Sequence, residues 1–375
     1  MKYYIIAGEA SGDLHGSNLI KELKKLDKNA HFRCWGGDLM NTETNNLAKH
    51  HKDYSYMGFL EVFLNLYSII KNISFCKSDI LNFNPDIIIY IDFPGFNLRI
   101  AKWAKNNGFK NHYYISPQIW AWKESRIKLI KKVVDKMYVI LPFEKDYYKK
   151  RHNLDVSFVG HPLLDEVKKS TISKLENIIV KEKTILLLPG SRDQEIKKIL
   201  PVMLKVVPEF KDYHFIIGAA PSQSLGLYKN YVKNYNIEII ENKTYDLLRN
   251  CTAAIVTSGT ATLETALFKV PQIVCYKSSW ISYFIGKNLI KNLKYISLVN
   301  LIVNKLIVPE LIQSECSKEN LIKNLKIVLD KKGKAEINEN YNELENILGG
   351  SGASNKTAKL IYNYLVEENS GTKDS

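Results

Sequence analysis

Cysteine is scarce in this chain, and its five copies, Cys34, Cys76, Cys251, Cys275 and Cys316, are far apart and mostly inside apolar runs. An odd, scattered set excludes a disulfide framework and offers no zinc-ligand spacing, so the expectation is reduced core thiols in a cytosolic protein, with no metal and no cofactor. The apolar length of a signal peptide is missing as well, because Glu9 and Asp13 follow the opening run too soon. Nor does any run look able to span a bilayer. The greasiest stretch, "MGFLEVFLNLYSIIKNISF" at 57–75, is interrupted by Glu61, Asn65, Lys71 and Asn72. Acidic residues are outnumbered, 39 against 53 Lys plus Arg, for a formal charge of +14. The excess is Lys dispersed among Asn and Ile rather than an Arg-rich patch, so no nucleic-acid partner is expected. An anionic membrane surface, a phosphorylated substrate and plain A/T-rich codon bias all remain open.

What is present is α/β punctuation over 375 residues, a length that suits two domains. Short apolar runs such as "KYYIIAG", "PDIIIYIDFPG" and "DKMYVILP" alternate with helical spacing in the first half, and "KTILLLPGSR", "YHFIIGAAP" and "CTAAIVTSGTATLETAL" do so in the second. Strands apolar on both faces that alternate with helices indicate parallel sheets covered on both sides. The expected fold is therefore two doubly wound, Rossmann-like domains facing a cleft, 1–170 and 171–345. A polar linker runs through 165–183, and a C-terminal helix and tail, 346–375, packs back across the domains. On a helix, Glu61, Asn65, Ser68 and Asn72 fall on one narrow polar stripe within 57–75, which suits either a helix buried between layers or one lying in lipid headgroups.

In such sheets ligands bind beyond the carboxyl ends of the strands, which makes the loops there the candidates. "GEASGDLHG" has neither the dinucleotide glycine spacing nor the Lys-Ser/Thr of a Walker loop; its small residues suit either a sugar or phosphate near a helix start or tight strand-to-helix packing. Asp92, in "IIIYIDFPGFN", ends a buried strand and is placed either as a general base or as a helix cap. "YISPQIWAWKESR" sets Trp120 and Trp122 after another strand, with Lys123 and Arg126 behind. In "LLLPGSRDQEI", Gly190 and Ser191 precede Arg192, whose fork suits a diphosphate. In "IVTSGTATLETAL", Ser258, Gly259, Thr260 and Thr262 suit phosphate oxygens and Glu264 suits ribose hydroxyls, though a Thr followed by Glu is also an ordinary helix start.

Taken in order, "GEASGD", "YMGFLEVF", "IDFPGFN", "YYISPQIWAW", "ILPFE", "FVGHPLLD", "LLLPGSR", "SGTATLE" and "YISLVNLIVNKLIVPELIQSEC" resemble the lipid-A-disaccharide synthases, bacterial glycosyltransferases, over nearly the whole chain. The resemblance implies the GT-B type of α/β fold. It also implies an inverting transfer from UDP-2,3-diacylglucosamine to 2,3-diacylglucosamine 1-phosphate (lipid X), giving the β-1,6 disaccharide phosphate and UDP in lipopolysaccharide synthesis. It makes Asp92 and Arg192 the catalytic pair. Glu9, Ser11, Gly12 and Asp13 become acceptor-side contacts, and Gly190, Ser191, Ser258, Gly259, Thr260, Glu264, Asn300 and Glu310 donor-side ones. Phe59, Phe63, Leu66 and Ile70 become a membrane or acyl-chain face at the cytoplasmic side of the inner membrane, and a second copy of the chain is a further expected partner. Gly95 departs from the pattern, where a second acid is expected. A sugar-nucleotide 2-epimerase of the same fold, or a non-catalytic lipid-binding protein, would be the rival readings.

Overall fold

A computed structural model describes residues 1–54, 66–121, 123–172, 183–221, 223–277 and 294–371. Phe59, Phe63 and Trp122 lie outside the described residues, as does most of the segment 165–183, and nothing is described of the Leu66 side chain. Two compact units are present, Met1–Asp165 with Gly349–Ser375, and Glu166–Leu348.

The first unit is built on a sheet of seven strands: β1 (Lys2–Ala7), β2 (His31–Gly36), β3 (Leu47–His50), β4 (Ile87–Ile91), β5 (Asn111–Tyr114), β6 (Lys136–Val139) and β7 (Ser157–Phe158). Every pairing is parallel and the order is β3-β2-β1-β4-β5-β6-β7. β1 and β4 sit at its centre, and Ile87–Ile91 is buried throughout, as a strand covered on both faces requires. Two apolar layers flank the sheet. The last helix, Ala353–Gly371, belongs to one of them: Ala358, Ile361 and Leu365 pack with Leu19, Ile20 and Leu23 of the helix Ala10–Leu26. Asp165 anchors its start by accepting from the Gly352 and Ser354 amides.

The second unit holds six parallel strands, β8 (Thr184–Leu188), β9 (His214–Ala219), β10 (Glu238–Glu241), β11 (Ala253–Thr257), β12 (Gln272–Tyr276) and β13 (Glu310–Ile312), in the order β10-β9-β8-β11-β12-β13. In both sheets the chain winds outward one way, returns to the centre and winds outward the other way. The switch points lie between β1 and β4 and between β8 and β11, where loops part and leave a crevice.

The helix Leu66–Phe83 departs from the expected amphipathic pattern. Asn72, assigned above to a polar stripe, is 2% exposed and bonded to Lys49, and with Cys76 and Ile80 forms the inner face. The outer face mixes apolar side chains, Tyr67 82%, Ile70 65%, Phe75 43% and Leu81 54% exposed, with exposed Lys71, Ser74, Ser78 and Asn82. Asp79 fixes this orientation: it accepts from the Tyr4 hydroxyl at 2.6 Å and is gripped by Arg33 at 2.8 Å. An inward polar residue with a partner is cheaper than an inward unpaired one, which lets Asn72 face the core. Among the described residues no helix is long and apolar enough to cross a membrane.

Two buried histidines make stability pH-dependent. His112, on β5, shares a 3.0 Å hydrogen bond with Tyr138, and burial, then the charges of Lys136 and Lys110, lowers its pKa from 6.5 to about 3. His161 is likewise held down to about 3, by burial and then by His15. A depressed base binds its proton more readily unfolded, so this contribution is complete above pH 6.5 and lost as pH falls toward 3, at about 1.4 kcal/mol per pH unit for each ring. His112→Phe keeps the ring and removes the titration. Its unfolding free energy relative to the parent is expected to improve steadily from pH 7 to pH 4 in urea titrations; a pH-independent difference would contradict the assignment.

Candidate functional site

Four of the five loops singled out in the sequence lie at the two switch points, and the fifth, "YISPQIWAWKESR", follows the neighbouring β5. In the first unit, β1 runs into Gly8 and β4 into Asp92, and the loops touch: a Cβ on Gly8 would stand 2.1 Å from the Phe93 ring. Asp92 and Phe93 both take left-handed backbone, φ 43° and 48°. Non-glycine residues hold that conformation only when neighbours enforce it. Here the Asp92 carbonyl accepts from Tyr113 Oη at 2.6 Å and Asn97 Nδ2 at 2.7 Å.

The Asp92 side chain reaches solvent yet sits among enough protein that lost solvation, then the nearby charge of Glu9, pushes its carboxyl up to about 6. The Phe93 amide and the Arg126 cation pull the other way. A carboxylate titrating there is ionised at neutral pH and basic enough to take a hydroxyl proton. Gly95 is exposed, with open space around its Cα, so no second carboxylate stands at that position.

The glycine loop divides between packing and exposure. Gly12 is pressed on β1, where a Cβ would lie 3.1 Å from that of Ala7. Asp13, expected as a substrate contact, is 4% exposed and uses both oxygens on the amides of Gly37 (2.7 Å), Leu39 (3.0 Å) and Met40 (3.0 Å), which begin the helix Asp38–Thr44. Unbonded amides at a helix start attract a carboxylate strongly, and that demand came from a distant helix. Glu9, half-buried, and Ser11, exposed, stay at the rim.

In the second unit β8 is followed by Gly190, whose φ of +116° no side chain takes readily. The amides of Ser191 and Arg192, expected to meet a diphosphate, bond here to Glu195 Oε2 at 3.2 and 3.3 Å, and Arg192 Nη1 reaches Glu195 Oε1 at 3.2 Å. Glu195 was not among the residues singled out; its signal is an acid three places after the helix cap, a capping box. The Arg192 side chain is 66% exposed.

β11 is followed by Ser258, which donates to the Ile296 carbonyl at 3.1 Å, and Gly259 and Thr260 come next, exposed at the start of the helix Thr260–Leu267. Burial raises the carboxyl pKa of Glu264, which accepts from Tyr245 Oη at 2.9 Å. Tyr245 in turn borders a depression of about 290 Å³ lined by Pro221, Asn242, Lys243, Thr244 and Asp246.

Asn300 and Glu310 are engaged with protein. Asn300 is fully buried, donating to Val308 O and Glu310 and accepting from the Ile307 and Val308 amides, all within 3.0 Å. Glu310 accepts from the amides of Ile296 and Ser297 and from the Ser297 hydroxyl. Together they pin the segment whose Ile296 carbonyl receives Ser258. Among the described residues no group of His, Cys, Asp or Glu could hold a metal ion.

A family model described as lipid-A-disaccharide synthetase matches residues 3–363. The chain belongs to that family. A lipid-A-disaccharide synthase of Syntrophus aciditrophicus is 38% identical over 95% of this chain and 96% of its own. One from Nitrosococcus oceani is 36% identical over 98% and 97%. The chain is thus a glycosyltransferase of this type. A UDP-GlcNAc 2-epimerase from Neisseria meningitidis, solved with UDP-GlcNAc, superposes with a TM-score of 0.68 over 98% of this chain and 100% of that one, at 14% identity. That likeness concerns the fold alone, the GT-B pairing of two Rossmann-like sheets.

Proposed function

We propose that the first unit activates a lipid-linked acceptor and the second holds the UDP of the donor. One observation supports this most: four of the five loop motifs sit at the carboxyl ends of the four strands that flank the two switch points. Asp92 takes the proton of the acceptor 6-hydroxyl as its oxygen bonds to the donor's anomeric carbon. The bond from that carbon to the diphosphate breaks with inversion, and the negative charge passes to UDP. Arg192 and the Ser191 and Arg192 amides receive that charge, the carboxylate of Glu195 giving way to it. Glu264 accepts ribose hydroxyls, with the nucleobase in the depression beside Tyr245. Asp13, Asn300 and Glu310 act by holding the loops in place.

The test is turnover with acylated and deacylated UDP-glucosamine donors and lipid X as acceptor. UDP release is expected with the acylated donor, and the product's anomeric proton coupling should show the β configuration. An α product would overturn the single-displacement mechanism.

Both substrates carry acyl chains, and the outer face of Leu66–Phe83 suits the cytoplasmic leaflet of the inner membrane. Tyr67 and Ile70 project there beside exposed Lys71, and Lys49 lies 5.9 Å from the Phe75 ring. Aromatic and aliphatic side chains edged by lysine are the composition of an interfacial helix. Replacing Tyr67 and Ile70 together by Ser is expected to weaken partition onto anionic vesicles by about tenfold or more. Unchanged binding in a sedimentation assay would place the membrane contact elsewhere.

A further inference from the structure

Asp92 and Phe93 join β4 to the helix Pro94–Asn106, and two buried side chains close on the one peptide oxygen between them. From β5, Tyr113 Oη donates to the Asp92 carbonyl at 2.6 Å. From the first turn of the helix, Asn97 Nδ2 donates to the same oxygen at 2.7 Å and to Ile91 O at 3.3 Å. The residues on either side of that peptide are held separately. Asp92 donates its amide to Tyr114 O at 3.3 Å, the Phe93 ring lies against Gly8 and stacks on Phe96 at 5.7 Å, and Phe93 O accepts the Asn97 amide at 3.1 Å. What these contacts leave free is the plane of the 92–93 peptide. Turning it over would carry Phe93 from φ +48° into the ordinary negative region, a relaxation that the grip on the oxygen forbids.

We propose that Tyr113 and Asn97 are positioning residues for the transfer, holding the 92–93 peptide in its left-handed orientation so that the Asp92 carboxylate stands ready for the acceptor hydroxyl. This rests on the reading of Asp92 as the base. Asn97 carries the plainest sign of such a role, because its Oδ1 is buried without a hydrogen-bond partner. A leucine of similar size would fill the position without that cost, so what the amide contributes is its donors to the two carbonyls. The Tyr113 ring belongs to an apolar layer of the sheet, and its hydroxyl serves the same oxygen. A trans peptide sends its N–H opposite to its oxygen. With the oxygen held toward the core, the Phe93 amide faces outward, on the side of the carboxylate it steadies.

The experiment compares Tyr113→Phe and Asn97→Leu, each alone and combined with Asp92→Asn, in the full chain with the acylated donor and lipid X. Each single variant is expected to lower kcat about 10–100-fold, the scale on which a displaced catalytic group loses rate, while KM for lipid X and UDP affinity stay within a few-fold. The acid limb of kcat/KM should move above the parent's, expected at about 6, because a carboxyl that loses the Phe93 amide holds its proton more tightly. On the Asp92→Asn background the same changes should alter the residual rate by no more than about twofold, since the group they position is gone. Equal fractional losses on both backgrounds would mark a general disturbance of the unit and overturn the proposal. A parent-like kcat in a folded variant at either position would overturn it too. Thermal melts show which variants fold, and either position decides the question if the other does not. Full turnover by Asp92→Asn itself would instead remove the base reading, and this proposal with it.

Discussion

Asp92→Asn is expected to lower kcat by about 10²–10⁴-fold, the range for loss of a general base, while UDP affinity stays within twofold. The change is nearly isosteric, and Asn tolerates the left-handed backbone of position 92 at least as well as Asp, so the loop should keep its shape. UDP affinity is spared because the proposed diphosphate donors belong to the other unit. The parent carries a second signature. Its carboxyl is raised to about 6, so kcat/KM should fall as pH drops through about 6, where the carboxylate takes up a proton, and the variant's low residual rate should lack that limb. Because ionised Asp92 is disfavoured in the folded chain, the variant should melt no lower than the parent at pH 8. Calorimetric UDP titration, thermal melts at pH 8 and stopped assays across pH 5–9 read these, and full turnover by the variant would exclude Asp92 as the base.

Arg192→Ala should cost about 10²–10³-fold in kcat, the scale on which a preorganised donor to a developing anion contributes. The side chain is largely exposed and its ion pair with Glu195 is a surface one, so folding should be nearly unaffected. That separation of rate from stability is what a structural role would not give. Arg192→Lys keeps the charge and loses the fork, and an intermediate rate is expected. A melting-temperature drop of many degrees alongside the rate loss would recast Arg192 as a support for the helix Asp193–Leu204.

The two-domain α/β reading and the positions of the loops were legible because continuous apolar strands and glycine-bearing turns are local signals. Asp92 could be named as a carboxylate at the lip of a strand from "IIIYIDFPG" alone. Asp13 could not be separated from it in the same way. Both are acids beside glycines, and what distinguishes them is a helix starting at Asp38, whose free amides take one carboxylate out of the site. Glu195 shows the opposite case, a local capping pattern, an acid three residues after Arg192, that is legible in the sequence itself. Asn300 and Glu310 are expected as donor contacts because they match polar positions of the family, but a buried polar pair is also what a segment without regular pairing needs to satisfy its backbone.

By itself the sequence determined which residues the strands deliver to their carboxyl ends, since hydrophobic period and turn chemistry act over a few neighbours. Tertiary structure decided which of those polar groups remain open to a substrate, that Asn72 of the helix Leu66–Phe83 turns inward, and that Asp13 serves the helix Asp38–Thr44. Those outcomes depend on partners tens of residues away, through hydrogen bonds whose strength rests on burial, and burial is a property of the packed chain.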